Sequence, residues 1–401
     1  MRGFTRRTTV SAAIDWVDRN SQLLTAEMVP LGAAGGRVLA ENVVSRVDVP
    51  GFPRAMMDGF AVIAADTAGA SLYNRLPLEV VGQTMPGQSA SVAVKSGKAI
   101  RIMTGAAMPP GADAVLPAEQ AEVDGSRILV LEEIPPGKHF GRVGEDIAAG
   151  TRILERGRQL RPQDLGVLSS VGAGAVPVVR RPVVRIVITG NELLPAGTPP
   201  RDARIADANG PMLDCLVRRD GGSVRNPGIV PDDRDAILEA LSDDADVVVV
   251  SGGSSVGQED FAPSLVARYG NLAIHGIAMR PSSPTGMGII GRRMVFLLPG
   301  NPVSCLCAYD MFAGRAIRIL GGRNRQWPYR AEVLPLSRKL VSVVGRYDYA
   351  RVRIADNQVE PIAISGASLL SSTTRADGFV IIPEDSEGYA PGTMVQVHLY
   401  D

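Results

Sequence analysis

Histidine and cysteine are scarce in this 401-residue chain, three of each, and that scarcity removes several classes of chemistry. Three cysteines cannot build a disulfide framework. Cys305 and Cys307 fall in the apolar run PVSCLCAYDMF, which reads as a helix; buried thiols are expected there, with a redox or metal pair as the alternative. His139, His275 and His398 share no spacing, which disfavours a zinc site or a histidine-based triad. No apolar run approaches the ~20 residues of a membrane-spanning helix. The start MRGFTRRTTVSAAIDW also lacks the apolar core and cleavage site of a secretory signal, so a cytoplasmic protein without a membrane partner is expected. A surplus of positive charge is absent too. Lys plus Arg and Asp plus Glu both number 42, which removes the basic footprint of a dedicated nucleic-acid binder and requires any anionic ligand to be held locally.

What is present is enough apolar material for substantial cores. Hydrophobic residues make up 45% and charged residues 21%, which excludes low-complexity disorder, and the length predicts two to four folding units. Between Thr8 and Arg19, Val10, Ala13, Ile14 and Val17 share one helical face. From about Gly51 to Lys138, short Val- and Ile-bearing runs are broken by PG, PPG and DG, the pattern of a small β domain. Pro162 stands near the start of a further candidate helix, with glycines after its end. From Arg181 to Gly322, Val-rich runs alternate with amphipathic stretches, which predicts an α/β domain with a mainly parallel sheet. From Trp327 to Asp401 short strands and turns return.

In an open α/β sheet, ligands bind beyond the carboxyl ends of the strands. Three such loops are unusual: Thr189-Gly190-Asn191-Glu192, the segment from Ser251 to Gly257, and Pro299-Gly300-Asn301-Pro302. They are predicted to converge on one sheet edge. In the second, Gly252 and Gly253 permit close backbone approach and Ser254 and Ser255 supply hydroxyls, so the loop reads as a phosphate cradle or as a tight turn. It is neither a Walker loop nor a GxGxxG fingerprint. Glu192, Asp207, Asp232, Asp233 and Asp260 lie in or beside these loops, where acids either cap helices and meet solvent or hold Mg²⁺ against a substrate phosphate. A second cluster occupies the β-like region, with Asp58 in PRAMMDGFAV and Thr104 in RIMTGA.

PRAMMDGFAV, RIMTGAAMPPGADAV, GEDI, TGNEL, DANGPML, SGGSSVGQED and LPGNPVS follow one another as in the molybdopterin molybdenumtransferase (MoeA) family, which includes the E domain of gephyrin, and the chain resembles that family from about residue 8 to its end. The resemblance implies a MoeA-like multidomain fold. A split connector domain would take residues 1–52 and 139–180, a β-rich insertion 53–138, and a MogA-like α/β molybdopterin-binding domain 181–326. A C-terminal β barrel would take 327–401. The implied activity inserts molybdenum from molybdate into adenylylated molybdopterin with Mg²⁺ and releases AMP. It also implies a homodimer with a site shared between subunits, a molybdopterin adenylyltransferase upstream, and molybdoenzymes or their chaperones downstream.

Matched motif by motif, Asp58, Thr104, Glu192, Asp232 and Asp260 are the implied catalytic positions. Asp260 and Glu192 are the implied metal ligands, and Gly252, Gly253, Ser254, Ser255, Arg280, Pro299 and Pro302 the implied substrate contacts. One segment departs from the family pattern. Where the family commonly carries Lys-Pro-Gly-Lys-Pro, this chain has Arg280-Pro281-Ser282-Ser283-Pro284, so Ser283 replaces the second lysine. That departure keeps open a cofactor-binding or chaperone paralogue, and beside it a related pterin or nucleotide adenylyl-transfer enzyme.

Overall fold

The computed structural model describes residues 7–89, 92–252, 261–363 and 366–400. The chain forms two compact units, one of Met1–Met28, Gly36–Ala40 and Pro177–Asp401, the other of Val29–Gly35 and Glu41–Val176.

The larger unit is built on a sheet whose central strands are nearly continuous apolar runs, as both faces are covered. Val183–Thr189 pairs in parallel with Ser223–Arg225 and Ile229–Val230 on one side and with Val247–Ser251 on the other. Val247–Ser251 then pairs in parallel with Arg293–Leu298. Alternation sorts the side chains. Ile186, Ile188, Val247, Val249 and Phe296 face one core with the helix Asn209–Arg219, while Val187, Val248, Val250 and Val295 face another with the helices Arg234–Leu241 and Phe261–Tyr269. The expected mainly parallel sheet carries an antiparallel edge, Gly286–Ile290 and Asn271–His275, that the sequence pattern did not indicate. Gly288 hides that strand, yet it is required there: a Cβ would sit 2.3 Å from the Asn271 carbonyl oxygen.

The amino-terminal helix runs Val10–Asn20 and buries Val10, Ala13 and Val17, three of the four expected face residues, with Ile14 packed partly against the same core. The helix expected over Val303 to Leu320 is present from Pro302, interrupted by one π turn at Tyr309–Ala313. Cys305 and Cys307 are fully buried within it. Burial pushes the Cys305 thiol up to about 12, so it stays protonated and packs as an apolar group. Among the described residues no helix is long and apolar enough to cross a membrane.

The carboxyl-terminal part closes into a barrel. Tyr347–Ala355 pairs with Gly378–Ile382, which pairs with Met394–Leu399, which pairs with Ala331–Pro335. Gln358–Ala363 returns beside Tyr347–Ala355, and the Ser337 N–H donates to the Val359 carbonyl at 2.9 Å to complete the ring. Met279–Arg280, from the preceding α/β segment, adds to this barrel in parallel with Tyr347 and Asp348.

The second unit contains a six-stranded sheet in the order Ala114–Pro117, Gly59–Val62, Lys98–Ile102, Leu76–Thr84, Arg127–Val130, Ala121–Asp124. Its helix Pro162–Ser170 starts at the expected proline. Asp164, 4% exposed, accepts from the Arg161 N–H at 2.9 Å and from the Arg158 guanidinium at 3.0 and 2.8 Å. The Arg158 hydrogen bonds hold its carboxyl well below the usual carboxylate range, helped by Arg161. We expect Asp164→Asn to cost about 2 kcal/mol at pH 7, since hydrogen bonds to a charged group contribute about 1.5–3 kcal/mol each way they are counted. A depressed folded-state value means the contribution is complete above the unfolded value of ~3.9 and fades as pH falls below it. Urea unfolding of both proteins should therefore give curves that separate at pH 7 and converge toward pH 2.

Candidate functional site

Three strand ends meet as the loop pattern predicts. Thr189, Ser251 and Leu298 finish adjacent parallel strands, and the following backbone, with the start of the helix Asn209–Arg219, encloses a cavity of about 420 Å³. Thr189, Glu192, Asp207, Asn209, Ser251, Gly252, Gly300, Asn301 and Pro302 line it. Gly252 has φ +103, and a Cβ there would lie 2.1 Å from the Thr189 carbonyl oxygen, so the two loops can approach only because position 252 is glycine. Pro302 begins its helix, where a missing N–H costs no hydrogen bond.

The adjacent acids Asp232 and Asp233 have separate tasks. Asp233 caps the helix Arg234–Leu241, accepting from the Asp235 and Ala236 N–H groups at 3.0 and 2.9 Å. Asp232 turns to the first loop, taking the Thr189 hydroxyl in a short hydrogen bond and the Asn191 N–H at 3.0 Å. Asp232 is thus the member of the pair that holds the loop carrying the cavity residue Thr189. Asp207, which lines the same cavity, accepts from the Gly210 N–H at 2.8 Å. Gly253, Ser254, Ser255 and Asp260 lie outside the described residues. Among those described, no group of three His, Cys, Asp or Glu side chains is placed to hold a metal ion.

A second cavity of about 390 Å³ shares Asn301 with the first and is lined by Arg7, Arg280, Ser282, Ser283, Pro299, Ser304 and Arg346. Its cations are partly neutralised. Asp348, wholly buried, accepts from Arg280 at 2.6 Å, Arg346 at 2.9 Å and the Ser342 hydroxyl at 2.8 Å. Three arginines set against one carboxylate leave the pocket positive, and the Ser283 hydroxyl and Arg280 Nε are buried there without partners among the described residues. Ser282 adopts φ +95, a left-handed backbone that suits glycine; its hydroxyl donates to the Ser304 carbonyl at 2.7 Å.

Asp58 and Thr104, 46 residues apart, are joined in the second unit. One Asp58 carboxylate oxygen accepts from both the Thr104 hydroxyl and the Thr104 N–H, each at 2.7 Å. The hydroxyl first, then the amide, lowers the Asp58 pKa. Gly59 beside it is needed for close packing, as a Cβ would fall 2.0 Å from the Leu116 carbonyl oxygen. Phe52, Met56 and Met57, which precede Asp58 in the chain, are exposed.

Sequence reasoning did not single out Asn209, Arg7 or Arg346. An Asn at a helix start two residues after an acid, as in Asp207-Ala208-Asn209, was the available signal for the first. Arg7 and Arg346 reach the second cavity through tertiary packing and carry no local signature.

Three family profiles cover most of the chain: the MoeA N-terminal region (domain I and II) over residues 8–172, a probable molybdopterin binding domain over 185–318, and the MoeA C-terminal region (domain IV) over 333–400. Molybdopterin molybdenumtransferase 2 of Mycobacterium tuberculosis is 35% identical across 92% of this chain and 94% of its own length. Molybdopterin molybdenumtransferase of Haemophilus influenzae is 30% identical across 94% of each. The crystal structure of a molybdopterin biosynthesis MoeA protein from Pyrococcus horikoshii superposes with a TM-score of 0.84 at 33% identity, covering 98% of this chain and 99% of that one.

Proposed function

Because the chain belongs to the MoeA family of molybdopterin molybdenumtransferases, we propose that it is a transferase of molybdenum cofactor biosynthesis which inserts molybdenum from molybdate into adenylylated molybdopterin and releases AMP. The observation that carries this reading is the convergence of Thr189 and Glu192, Asp207, Ser251 and Gly252, and Gly300 to Pro302 on one cavity at the carboxyl ends of parallel strands. The adjoining positive cavity supplies what an oxyanion substrate needs. A shared wall at Asn301 would place the two anionic substrates side by side.

Glu192 and Asp207 present hard oxygen donors to the first cavity, which suits Mg²⁺, an ion held by one or two carboxylates with waters and substrate phosphate. They would hold it together with Asp260. When bound, the ion neutralises phosphate charge and polarises the bond to be broken. We further propose a cytoplasmic homodimer in which Asp58 and Thr104 of one copy complete the cavity of the other. The exposure of Phe52, Met56 and Met57, which precede Asp58 in the chain, supports a covered face there. A molybdopterin adenylyltransferase would supply the substrate, and molybdoenzymes or their chaperones would take the product.

The test is purified protein with adenylylated molybdopterin, Mg²⁺ and molybdate, measuring AMP and active cofactor together. Cofactor binding without AMP release would instead support a storage or delivery protein, the reading that Ser283 favours.

Ser283 also gives a graded prediction. A lysine aimed at a partly desolvated oxyanion adds a charge-assisted hydrogen bond of about 1.5–3 kcal/mol. Ser283→Lys should therefore lower KM for molybdate about tenfold or more, while Arg280→Ala should raise it by a similar factor. Steady-state kinetics at varied molybdate checks both. Silence of both would mean that molybdate is held elsewhere.

A further inference from the structure

Asn209 opens the helix Asn209–Arg219 with its side chain on the 420 Å³ cavity, and it is only 7% exposed. Its Nδ2 donates to the Gly300 carbonyl at 2.8 Å and to the Ser251 hydroxyl at 2.8 Å. A carbonyl oxygen can only accept, so the contact with Gly300 fixes which end of the amide is which. The remaining end, Oδ1, is buried and has no hydrogen-bond partner among the described residues. A buried acceptor left unmade is unfavourable, and native side chains in that state commonly await a ligand or water.

The neighbours of this oxygen narrow what the partner must be. Glu192 and Asp207 on the same cavity are acceptors when ionised, so with Asn209 Oδ1 the wall offers three acceptor groups. Once Glu192 and Asp207 hold Mg²⁺ with substrate phosphate, Asn209 Oδ1 remains as a neutral acceptor, which suits a ligand edge that presents N–H groups. The 2-amino and ring N–H groups of a pterin's aminopyrimidinone form such an edge.

We infer that Asn209 Oδ1 accepts a hydrogen bond from the 2-amino group of the substrate's pterin ring and thereby selects an aminopterin over its oxo analogue. This rests on the transferase reading of the cavity and adds to it a residue and a direction of binding. The Gly300 and Ser251 contacts hold the amide in its binding orientation before substrate arrives, so little reorganisation opposes the bond. A site built to hydrogen-bond one ligand group rejects the analogue lacking it, because its own buried polar atom is then left unpaired.

The test compares wild type, Asn209→Ala and Asn209→Leu by calorimetric titration with metal-free molybdopterin, pterin and lumazine, in which an oxo group replaces the 2-amino group. Wild type is expected to bind molybdopterin and to prefer pterin to lumazine by about tenfold or more, the size of one buried hydrogen bond. In both variants that preference should fall to about unity, with circular dichroism unchanged. If wild type binds pterin and lumazine equally, or if folded variants keep the preference, the inference is wrong while the transferase reading stands. Failure of wild type to bind molybdopterin at all would overturn both.

Discussion

Asn in place of Asp58 in one preparation and of Asp232 in another is expected to lower transferase turnover about a hundredfold in each, a loss of about 2.7 kcal/mol of transition-state stabilisation. Neither change should unfold the protein. Asp58 is exposed and Asp232 half-buried, and both serve loops rather than a core. The Asp232 carboxylate receives the Thr189 hydroxyl and the Asn191 N–H together, and an amide there sets a donor against one of them. Asp58 fixes Thr104 through two bonds to one oxygen. If the two acids belong to one site completed across a homodimer, mixing the inactive proteins restores intact sites. Random exchange makes half of the dimers mixed, and each mixed dimer carries one wild-type pair, so activity should return to about a quarter of the wild-type value. Mass spectrometry would verify the exchange. No recovery after verified exchange would place the two acids in separate sites.

The parts of this site that were legible in the sequence are those encoded by local backbone demands. Val-rich strands followed by Thr-Gly, Ser-Gly and Pro-Gly-Asn-Pro can be read as strand ends because the glycines and prolines answer to backbone geometry that neighbours in sequence impose. The Gly252 contact with Thr189 shows such a demand directly. Asp58 and Thr104 were both visible, but their hydrogen bonds span 46 residues and no spacing rule announces them. The choice between Asp232 and Asp233 needed the helix boundary itself, since only the residue at the cap is committed to the helix N–H groups. The least legible feature was the position of Arg280. It sits in a two-residue strand whose partner, Tyr347–Asp348, belongs to the terminal barrel, and a segment that short has no periodicity to read.

That tie between Arg280 and the barrel leads to the second large effect. Asp348→Ala is expected to destabilise the protein by about 3–5 kcal/mol, the range for removing one partner of a buried ion pair. The carboxylate is wholly buried and is the meeting point of Arg280, Arg346 and the Ser342 hydroxyl, so its loss strands two guanidinium groups in a confined, already positive pocket. Asp348→Asn should cost less, because the amide oxygen still accepts one of these hydrogen bonds. The charge argument makes a further demand that a simple packing defect would not meet. With its internal counter-ion gone, the pocket should draw an external one, and a ligand that binds only the folded state stabilises by RT ln(1 + [L]/Kd), about 2.7 kcal/mol at a hundred times Kd. Sulfate in the millimolar range should therefore recover much of the loss in Asp348→Ala and change wild type little, while sodium chloride at equal ionic strength should not. Urea midpoints in the two salts decide it. Equal rescue by chloride would mean that general screening, rather than oxyanion capture between Arg280 and Arg346, restores the fold.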